Sequence, residues 1–276
     1  MARLFGFISN RPDLGARVLE AESRLLEEKA KDEPLGWGVG FYQGGELLLR
    51  RRPVDDRSTL AIAEALRDVR TDVLIGHVRR ATVGTMRTEN THPFRYRQWL
   101  FAHTGKIDGF PAMRDRLAES IPQFLRRNVR GDTDSELFFH LFLSFLHDAG
   151  KLQSPQVAPA DVRIALRSSI ALVDRLSQEE GAEPSGFNLL VTDGEHIYAV
   201  HANQKMAYRV VQGRHDLEEL LGDDGLRRTR VPDVASSRLT MLVADYDADA
   251  PRFTQVENRA IVTMSRAADP TTEPLG

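Results

Sequence analysis

Residues 132–150, DTDSELFFHLFLSFLHDAG, constrain the fold more than any other part of the sequence. The segment opens with acidic and hydroxyl residues, which favour a helix N-terminus. It then carries apolar residues on almost every face, so we predict a helix that other elements cover on all sides. A second helical pattern follows at residues 159–180, PADVRIALRSSIALVDRLSQEE. These two helices are the expected centre of the chain.

Strand-like segments stand on both sides of the two helices. Before them we expect strands at 2–9, Trp37–Tyr42, Glu46–Arg51, 71–82 and 98–105. After them we expect strands within 186–203, 206–213, 238–246 and 258–267, with turns at 192–195 and 211–214. Shorter helices are predicted at 14–31, at 58–69 with Ser58 as N-cap, and at 110–121; residues 270–276 are expected to be a loose tail. This order predicts one α+β domain over residues 1–276, with helices covering a sheet, or two sheets between helices.

Composition and charge exclude several classes of function. The net charge of -3 gives no field that would attract nucleic acid or an anionic membrane surface. No run approaches 18 apolar residues and no signal peptide is recognisable, so a cytoplasmic protein without a membrane span is expected. The absence of cysteine excludes disulfides, thiolate metal sites and a cysteine nucleophile in this chain. The histidines lack ligand spacing, so neither a metal nor a cofactor is predicted.

Three separated stretches carry the functional signal: IGHVRRATVG (75–84), THPFRYRQWLFAHTGKIDGF (91–110) and GDTDSELFFHL (131–141). Taken singly, each has an ordinary structural interpretation. Arg79 could be a surface charge, Thr104-Gly105 a turn, and the acids from Asp132 to Asp134 helix caps.

Taken together, the stretches resemble the class II glutamine amidotransferases, which are N-terminal-nucleophile hydrolases. The resemblance is to the free-standing type without a synthetase domain. It extends over nearly the whole chain, because the segments MARLFGF, GWGVGFY, ENTHPF and FNLLVTDGEHIYAV and a terminal NRAIVTM…EPL also occur in family order. The resemblance implies a four-layer αββα sandwich.

The resemblance also implies a site for glutamine. The arginine that takes the α-carboxylate corresponds to Arg79, and the aspartate that takes the α-ammonium corresponds to Asp134. The oxyanion-hole positions are Thr104 and Gly105, and the nucleophile position is Ala2. Thr82 and His92 complete the expected substrate-binding residues.

Two of these positions depart from the family pattern. A cysteine is expected at position 2 and an asparagine at position 104, whereas the sequence has Ala2 and Thr104. A methyl group cannot attack a carbonyl, and loss of one oxyanion donor costs about 2.7–4 kcal/mol of transition-state stabilisation. The favoured prediction is therefore an inactive relative that binds glutamine or a γ-glutamyl compound, as a sensor or a partner subunit.

Two alternatives remain open at this point. One is an active amidotransferase or γ-glutamyl amide hydrolase whose nucleophilic cysteine was replaced by alanine in an engineered variant. The other is a structural interaction protein with a vestigial pocket. The expected partners are a small glutamine-like molecule and either another protein or a second copy of the chain.

Overall fold

The structure is a computed structural model of the 276-residue chain. It describes all residues except 1, 30–34, 81–84, 184, 203, 230–232 and 247–248. Side chains at 223–225 and 227–229 are also outside the description. Within the described residues, α-helices accompany sheets in which every strand pair is antiparallel.

The strands and helices have the following bounds. The strands are β1 (Arg3–Ser9), β2 (Glu28–Lys29), β3 (Leu35–Gln43), β4 (Glu46–Asp55), β5 (Thr59–Leu60), β6 (Val73–Arg79), β7 (Phe94–Tyr96), β8 (Trp99–Gly105), β9 (Phe187–Thr192), β10 (Ile197–His201), β11 (Met206–Gln212), β12 (Arg238–Ala244), β13 (Thr254–Gln255), β14 (Ala260–Met264) and β15 (Thr271–Pro274). The helices are α1 (Gly15–Ala21), α2 (Ser23–Leu26), α3 (Ile62–Ala65), α4 (Phe110–Glu119), α5 (Gln123–Arg126), α6 (Asp134–Asp148), α7 (Pro159–Glu179) and α8 (Gly213–Thr229), which is kinked at Gly222.

Two large sheets organise these elements. The seven-stranded sheet has the order β13-β11-β12-β1-β6-β3-β4, and the six-stranded sheet has the order β15-β14-β10-β9-β8-β7. A two-stranded ribbon joins β2 to β5. The N-terminal strand β1 is central in its sheet, between β12 and β6. Residues near position 2 are therefore held by pairing on both sides.

Three apolar clusters connect the sheets with each other and with the helices. One combines side chains of both sheets, such as Leu4 and Ile75 with Leu100 and Leu190. A second joins the six-stranded sheet to α4–α7, and a third joins the seven-stranded sheet to α1–α3 and α8. Burying each large apolar side chain contributes about 1.5–3 kcal/mol, so these clusters fix the two sheets against each other.

The strongest sequence signals are confirmed. Both predicted central helices form, and twelve of the fifteen residues of α6 are buried. The β3–β4 hairpin turns at Gly44 and Gly45, whose φ angles of 62° and 81° suit a tight primed turn.

Three predicted elements are wrong. The helix expected at 14–31 divides into α1 and α2, and Glu28–Lys29 then pairs as a strand with β5. The helix expected at 58–69 shrinks to α3, whose N-cap is Ala61 instead of Ser58. The tail expected to be loose contains β15, which pairs with β14, because Arg163 and Arg167 hold Glu273 and Leu275 is buried. In each case, contacts with distant residues override the local pattern. Among the helices of the described chain, none is long and apolar enough to cross a bilayer.

Candidate active site

A cavity of about 410 Å³ opens where the two large sheets and the start of α6 meet. Six of the seven residues predicted from the sequence line this cavity: Ala2, Arg79, His92, Thr104, Gly105 and Asp134. The seventh, Thr82, lies outside the described residues. Positions that are up to 132 residues apart in sequence are thus brought to one wall, although their roles in binding remain predictions.

The N-terminus of α6 is built by its own opening sequence. Thr133 is the N-cap, and its hydroxyl oxygen accepts a hydrogen bond from the Glu136 backbone N–H at 3.3 Å. The Glu136 carboxylate reaches back to the backbone N–H groups of Arg130 at 3.0 Å and Gly131 at 2.6 Å. The Thr133 hydroxyl thus satisfies one backbone donor that the helix start leaves unpaired, and the Glu136 carboxylate holds the loop before the helix. Together these bonds fix Asp134, which follows the N-cap, at the cavity wall.

Asp134 is held as an acceptor in the cavity wall. One carboxylate oxygen accepts from the Ile107 backbone N–H at 2.8 Å, and the other accepts from the backbone and hydroxyl of Ser135 at 2.8 and 3.2 Å. A carboxylate has about four lone-pair sites, so these three bonds leave acceptor capacity for an ammonium group. Ser135 also contacts His103, with 2.8 Å between Oγ and Nδ1. If the serine proton goes to Asp134, His103 must carry its own proton on Nδ1.

Arg79 ends β6 and is 3 % exposed. Its guanidinium donates to the Thr85 carbonyl at 2.9 Å and contacts the Met86 sulfur at 3.7 Å. Burial lowers the pKa of Arg79, and the charge of Asp132 opposes this. An arginine stays protonated in proteins, so Arg79 supplies a fixed positive charge to the cavity.

The segment that carries His92 is clamped to the loop before α6. The Asn90 side chain donates to Asp132 at 2.6 Å and to the Thr85 carbonyl at 3.0 Å. In return, the Asp132 backbone N–H donates to the Asn90 amide oxygen at 3.1 Å. The segments ENTHPF and DTDSE are therefore connected directly, which their distance in sequence gave no reason to expect.

Three buried histidines line the same cavity. The ring centroids of His77 and His92 are 4.5 Å apart, and those of His92 and His103 are 6.5 Å apart. Burial lowers the pKa of His77 to about 3 and lowers the pKa of His92 and of His103 as well. The rings are therefore neutral near pH 7, and none of the four ring nitrogens of His77 and His92 has a hydrogen-bond partner within the described residues.

Next to position 2, a buried acid holds two arginines. Glu28 accepts from Arg3 at 3.0 Å and from Arg80 at 2.7 Å, and all three side chains are at most 17 % exposed. Burial opposes ionisation of Glu28, but the hydrogen bond from Arg80 and the charge of Arg3 keep its pKa below the usual value. This ion cluster explains why Glu28–Lys29 leaves the predicted helix.

The cavity lining also includes an acid that the sequence motifs did not indicate. Asp245 follows β12 directly, is 5 % exposed, and accepts a hydrogen bond from the Thr104 hydroxyl. Burial raises the pKa of Asp245 to about 6, although Thr104, Arg3 and His201 act in the opposite direction. The only signal for this residue was an acid at the end of a buried apolar strand, RLTMLVAD.

The Thr104–Asp245 hydrogen bond changes what the oxyanion position can do. A hydroxyl has one proton, and here it is donated to Asp245. While that bond persists, the Thr104 side chain cannot also donate to an oxyanion. The neighbouring Gly105 has φ 97°, and a Cβ there would lie 2.4 Å from the Gly186 carbonyl, so this position requires glycine.

Within the described residues, one cluster has metal-ligand proximity, formed by His215, Asp216 and Glu219 on α8. None of these three lines the cavity. The cavity itself offers one buried arginine, two buried carboxylates and neutral imidazoles. This set suits a zwitterionic amino acid, with a carboxylate for Arg79 and an ammonium for Asp134.

Comparison with known proteins agrees with the sequence motifs. The profile of the family described as "Glutamine amidotransferases class-II" matches residues 1–265. A probable glutamine amidotransferase of Saccharomyces cerevisiae is 32 % identical over 194 residues, which is 64 % of this chain and 54 % of the yeast protein. The chain spans about half the length of that relative and of a Methanocaldococcus jannaschii protein that it also matches.

Solved structures show the same fold. A glutamine aminotransferase class-II domain protein from Silicibacter pomeroyi superposes with a TM-score of 0.64 at 21 % identity, and 99 % of each chain is covered. A predicted glutamine amidotransferase from Pseudomonas aeruginosa gives a TM-score of 0.56 at 20 % identity, covering 96 % of this chain and 94 % of the other. At these identities the likeness concerns the fold alone.

Proposed function

The chain belongs to the class II glutamine amidotransferase family, and from this premise we propose that it binds a glutamine-like amino acid without hydrolysing its amide. In this proposal the bound state serves as a signal, either in a sensor or in a partner subunit of another protein. The two large sheets and their helices are proposed to correspond to the four-layer αββα sandwich of N-terminal-nucleophile hydrolases.

One observation carries the proposal: Arg79, Asp134 and Ala2 share a single cavity. The first two supply the opposite charges that an amino-acid zwitterion needs, and both are buried, where such charges act strongly. The methyl group of Ala2 provides no nucleophile for the amide carbon.

The binding half of the proposal is tested by calorimetry with L-glutamine. We expect Arg79→Ala to weaken binding by about 2–5 kcal/mol, because the ligand carboxylate loses a desolvated charge partner. Asp134→Asn should also weaken binding, through the ammonium group. Arg67→Ala is the matched control, since Arg67 is 72 % exposed and lies away from the cavity. Binding that persists unchanged in both cavity variants would refute the assignment of the site.

The proposed lack of amide hydrolysis is tested by a sensitive assay of ammonia release from glutamine. No turnover above background is expected. Turnover that disappears in Arg79→Ala would contradict the proposal, and Ser135→Ala would then be the first test of an unforeseen nucleophile, because its hydroxyl contacts His103. A cysteine codon at position 2 of the natural gene would instead favour an active enzyme.

A further inference from the structure

The cavity has a carboxylate at the end where an amide would be attacked. Asp245, Thr104 and Ala2 all line the cavity, and Asp245 is buried with the left-handed φ of 60°. Aspartate and asparagine tolerate this backbone region better than most residues. An acid in this place does not suit the stabilisation of an oxyanion, so its presence calls for a different partner.

The carboxylate of Asp245 has acceptor capacity to offer. One oxygen accepts from the Thr104 hydroxyl, and the other lies 3.5 Å from the Asn188 side-chain nitrogen, at the limit of a hydrogen bond. Arg3 donates to the backbone carbonyl of Asp245. With about four lone-pair sites on a carboxylate, Asp245 can accept at least one more bond from a group in the cavity.

We propose that Asp245 selects the distal group of the ligand, accepting a hydrogen bond from an amide or ammonium group and excluding a carboxylate. The pocket then takes glutamine in preference to glutamate. This inference rests on the proposed function, because it assumes that the α-amino and α-carboxylate groups lie at Asp134 and Arg79. The distal end of the ligand then faces Ala2, Thr104 and Asp245.

The chemistry of the two ligands makes the selection strong. Glutamine and glutamate have nearly the same shape, but the distal group of glutamate carries a negative charge and has no donor near pH 8. Burial raises the pKa of Asp245 to about 6, so its carboxyl group is ionised at pH 8. Two anions facing each other in a buried site repel, whereas the amide of glutamine donates to Asp245. Arg80, which also lines the cavity, makes an ion pair with Glu28, as does Arg3.

The test measures affinities for L-glutamine and L-glutamate by calorimetry at pH 8, using the full chain and Asp245→Asn. The native protein should bind glutamine at least tenfold more tightly than glutamate. Asp245→Asn removes the charge and keeps the shape and the tolerance for left-handed φ, so the preference should fall to threefold or less. Asp72→Asn is the matched control, because Asp72 pairs with Arg266 away from the cavity and should leave the preference unchanged.

The possible results separate the two proposals. If the native protein binds both ligands equally, or if Asp245→Asn keeps the full preference, the role of Asp245 is overturned while glutamine binding stands. If neither ligand binds either protein, the proposed function fails and this inference fails with it. Thr104→Val keeps the Asp245 charge and should keep the preference for glutamine; loss of preference there, but not in Asp245→Asn, would assign selection to Thr104.

Discussion

The methyl group of Ala2 lines the same cavity as the buried carboxylate of Asp245 and the hydroxyl of Thr104, which donates its proton to Asp245. Two separate requirements of amide hydrolysis are therefore unmet by side chains: a nucleophile and a side-chain oxyanion donor. Asp245 adds a third obstacle, because a nearby negative charge raises the pKa of a thiol and disfavours an oxyanion. Hydrolysis of glutamine should return only when a nucleophile and a side-chain oxyanion donor are supplied and the negative charge of Asp245 is removed.

We therefore expect Ala2→Cys alone to restore little activity. After removal of Met1, the new cysteine would have its α-amine as base, but turnover of glutamine should be weak or undetectable. Adding Thr104→Asn and Asp245→Asn should raise ammonia release by about 10²–10³-fold, the usual contribution of one oxyanion donor. Ammonia release at saturating glutamine is the measurement.

Labelling provides the control for that experiment. The chain has no other cysteine, so an electrophilic glutamine analogue that labels a thiol of the variant reports on position 2 alone. A triple variant that is labelled yet inactive would locate the defect after thiol attack. Full turnover in the single Ala2→Cys variant would show that Thr104 is an adequate donor despite its bond to Asp245.

Among the elements, the strand β3 contains glycines that allow the His92 segment to lie close to the seven-stranded sheet. A Cβ at Gly38 would lie 2.1 Å from the backbone oxygen of His92, a contact that no side-chain rotation can relieve. A Cβ at Gly40, two residues further on the same strand, would meet side-chain carbons of Leu100 at 2.7 Å. The glycines of GWGVGFY are therefore explained by close approach, which is consistent with a hairpin and not with a nucleotide-binding loop.

The two glycines form a matched pair for a prediction. Gly38→Ala should lower the free energy of unfolding by about 3 kcal/mol, because backbone must move, and Gly40→Ala by about 1 kcal/mol, because Leu100 can adjust. Gly38→Ala should also weaken glutamine binding about tenfold, since it displaces His92. Urea unfolding and calorimetry are the measurements. Equal losses of stability in the two variants would show that the backbone at His92 can shift at as little cost as the Leu100 side chain.

Across the whole molecule, the Thr104–Asp245 bond joins the two large sheets. Asp245 directly follows β12 of the seven-stranded sheet, and Thr104 lies in β8 of the six-stranded sheet. An apolar cluster with side chains from both sheets packs between them. A buried acid at this junction makes the stability of the whole fold sensitive to pH.

The direction of this effect follows from the pKa of Asp245, which rises from 3.8 to about 6 on folding. Below about pH 3, the acid is protonated in both states, and its contribution to stability is fully present. As pH rises to about 6, the unfolded chain ionises first, so about 3 kcal/mol of stability is lost, and the loss is complete near pH 7. Between pH 4 and pH 7, Asp245→Asn should therefore gain about 2.4 kcal/mol of stability relative to the native protein, as measured by urea unfolding. A constant difference between pH 4 and 7 would contradict the raised pKa.

The sequence was a good guide wherever the signal was local and strong. The apolar surface of α6 dictates burial on all sides, and Gly44-Gly45 dictates a tight turn, so both could be predicted without distant contacts. The family motifs named Ala2, Arg79, His92, Thr104, Gly105 and Asp134, and these line one cavity. Thr82 lies outside the described residues, and the single domain, the cytoplasmic location and the partners stay predictions.

The sequence by itself therefore determined the two central helices, the hairpin and the absence of a thiol nucleophile, because each depends on the identity of neighbouring residues. Only the tertiary structure decided that Glu28 leaves a helix to bind Arg3 and Arg80, and that residues 271–274 form a strand. It also brought Asp245 to Thr104 across 141 positions of the chain. A hydrogen bond between two sheets has no signature in the local pattern of either strand, since it arises from how the sheets pack and not from how each strand forms.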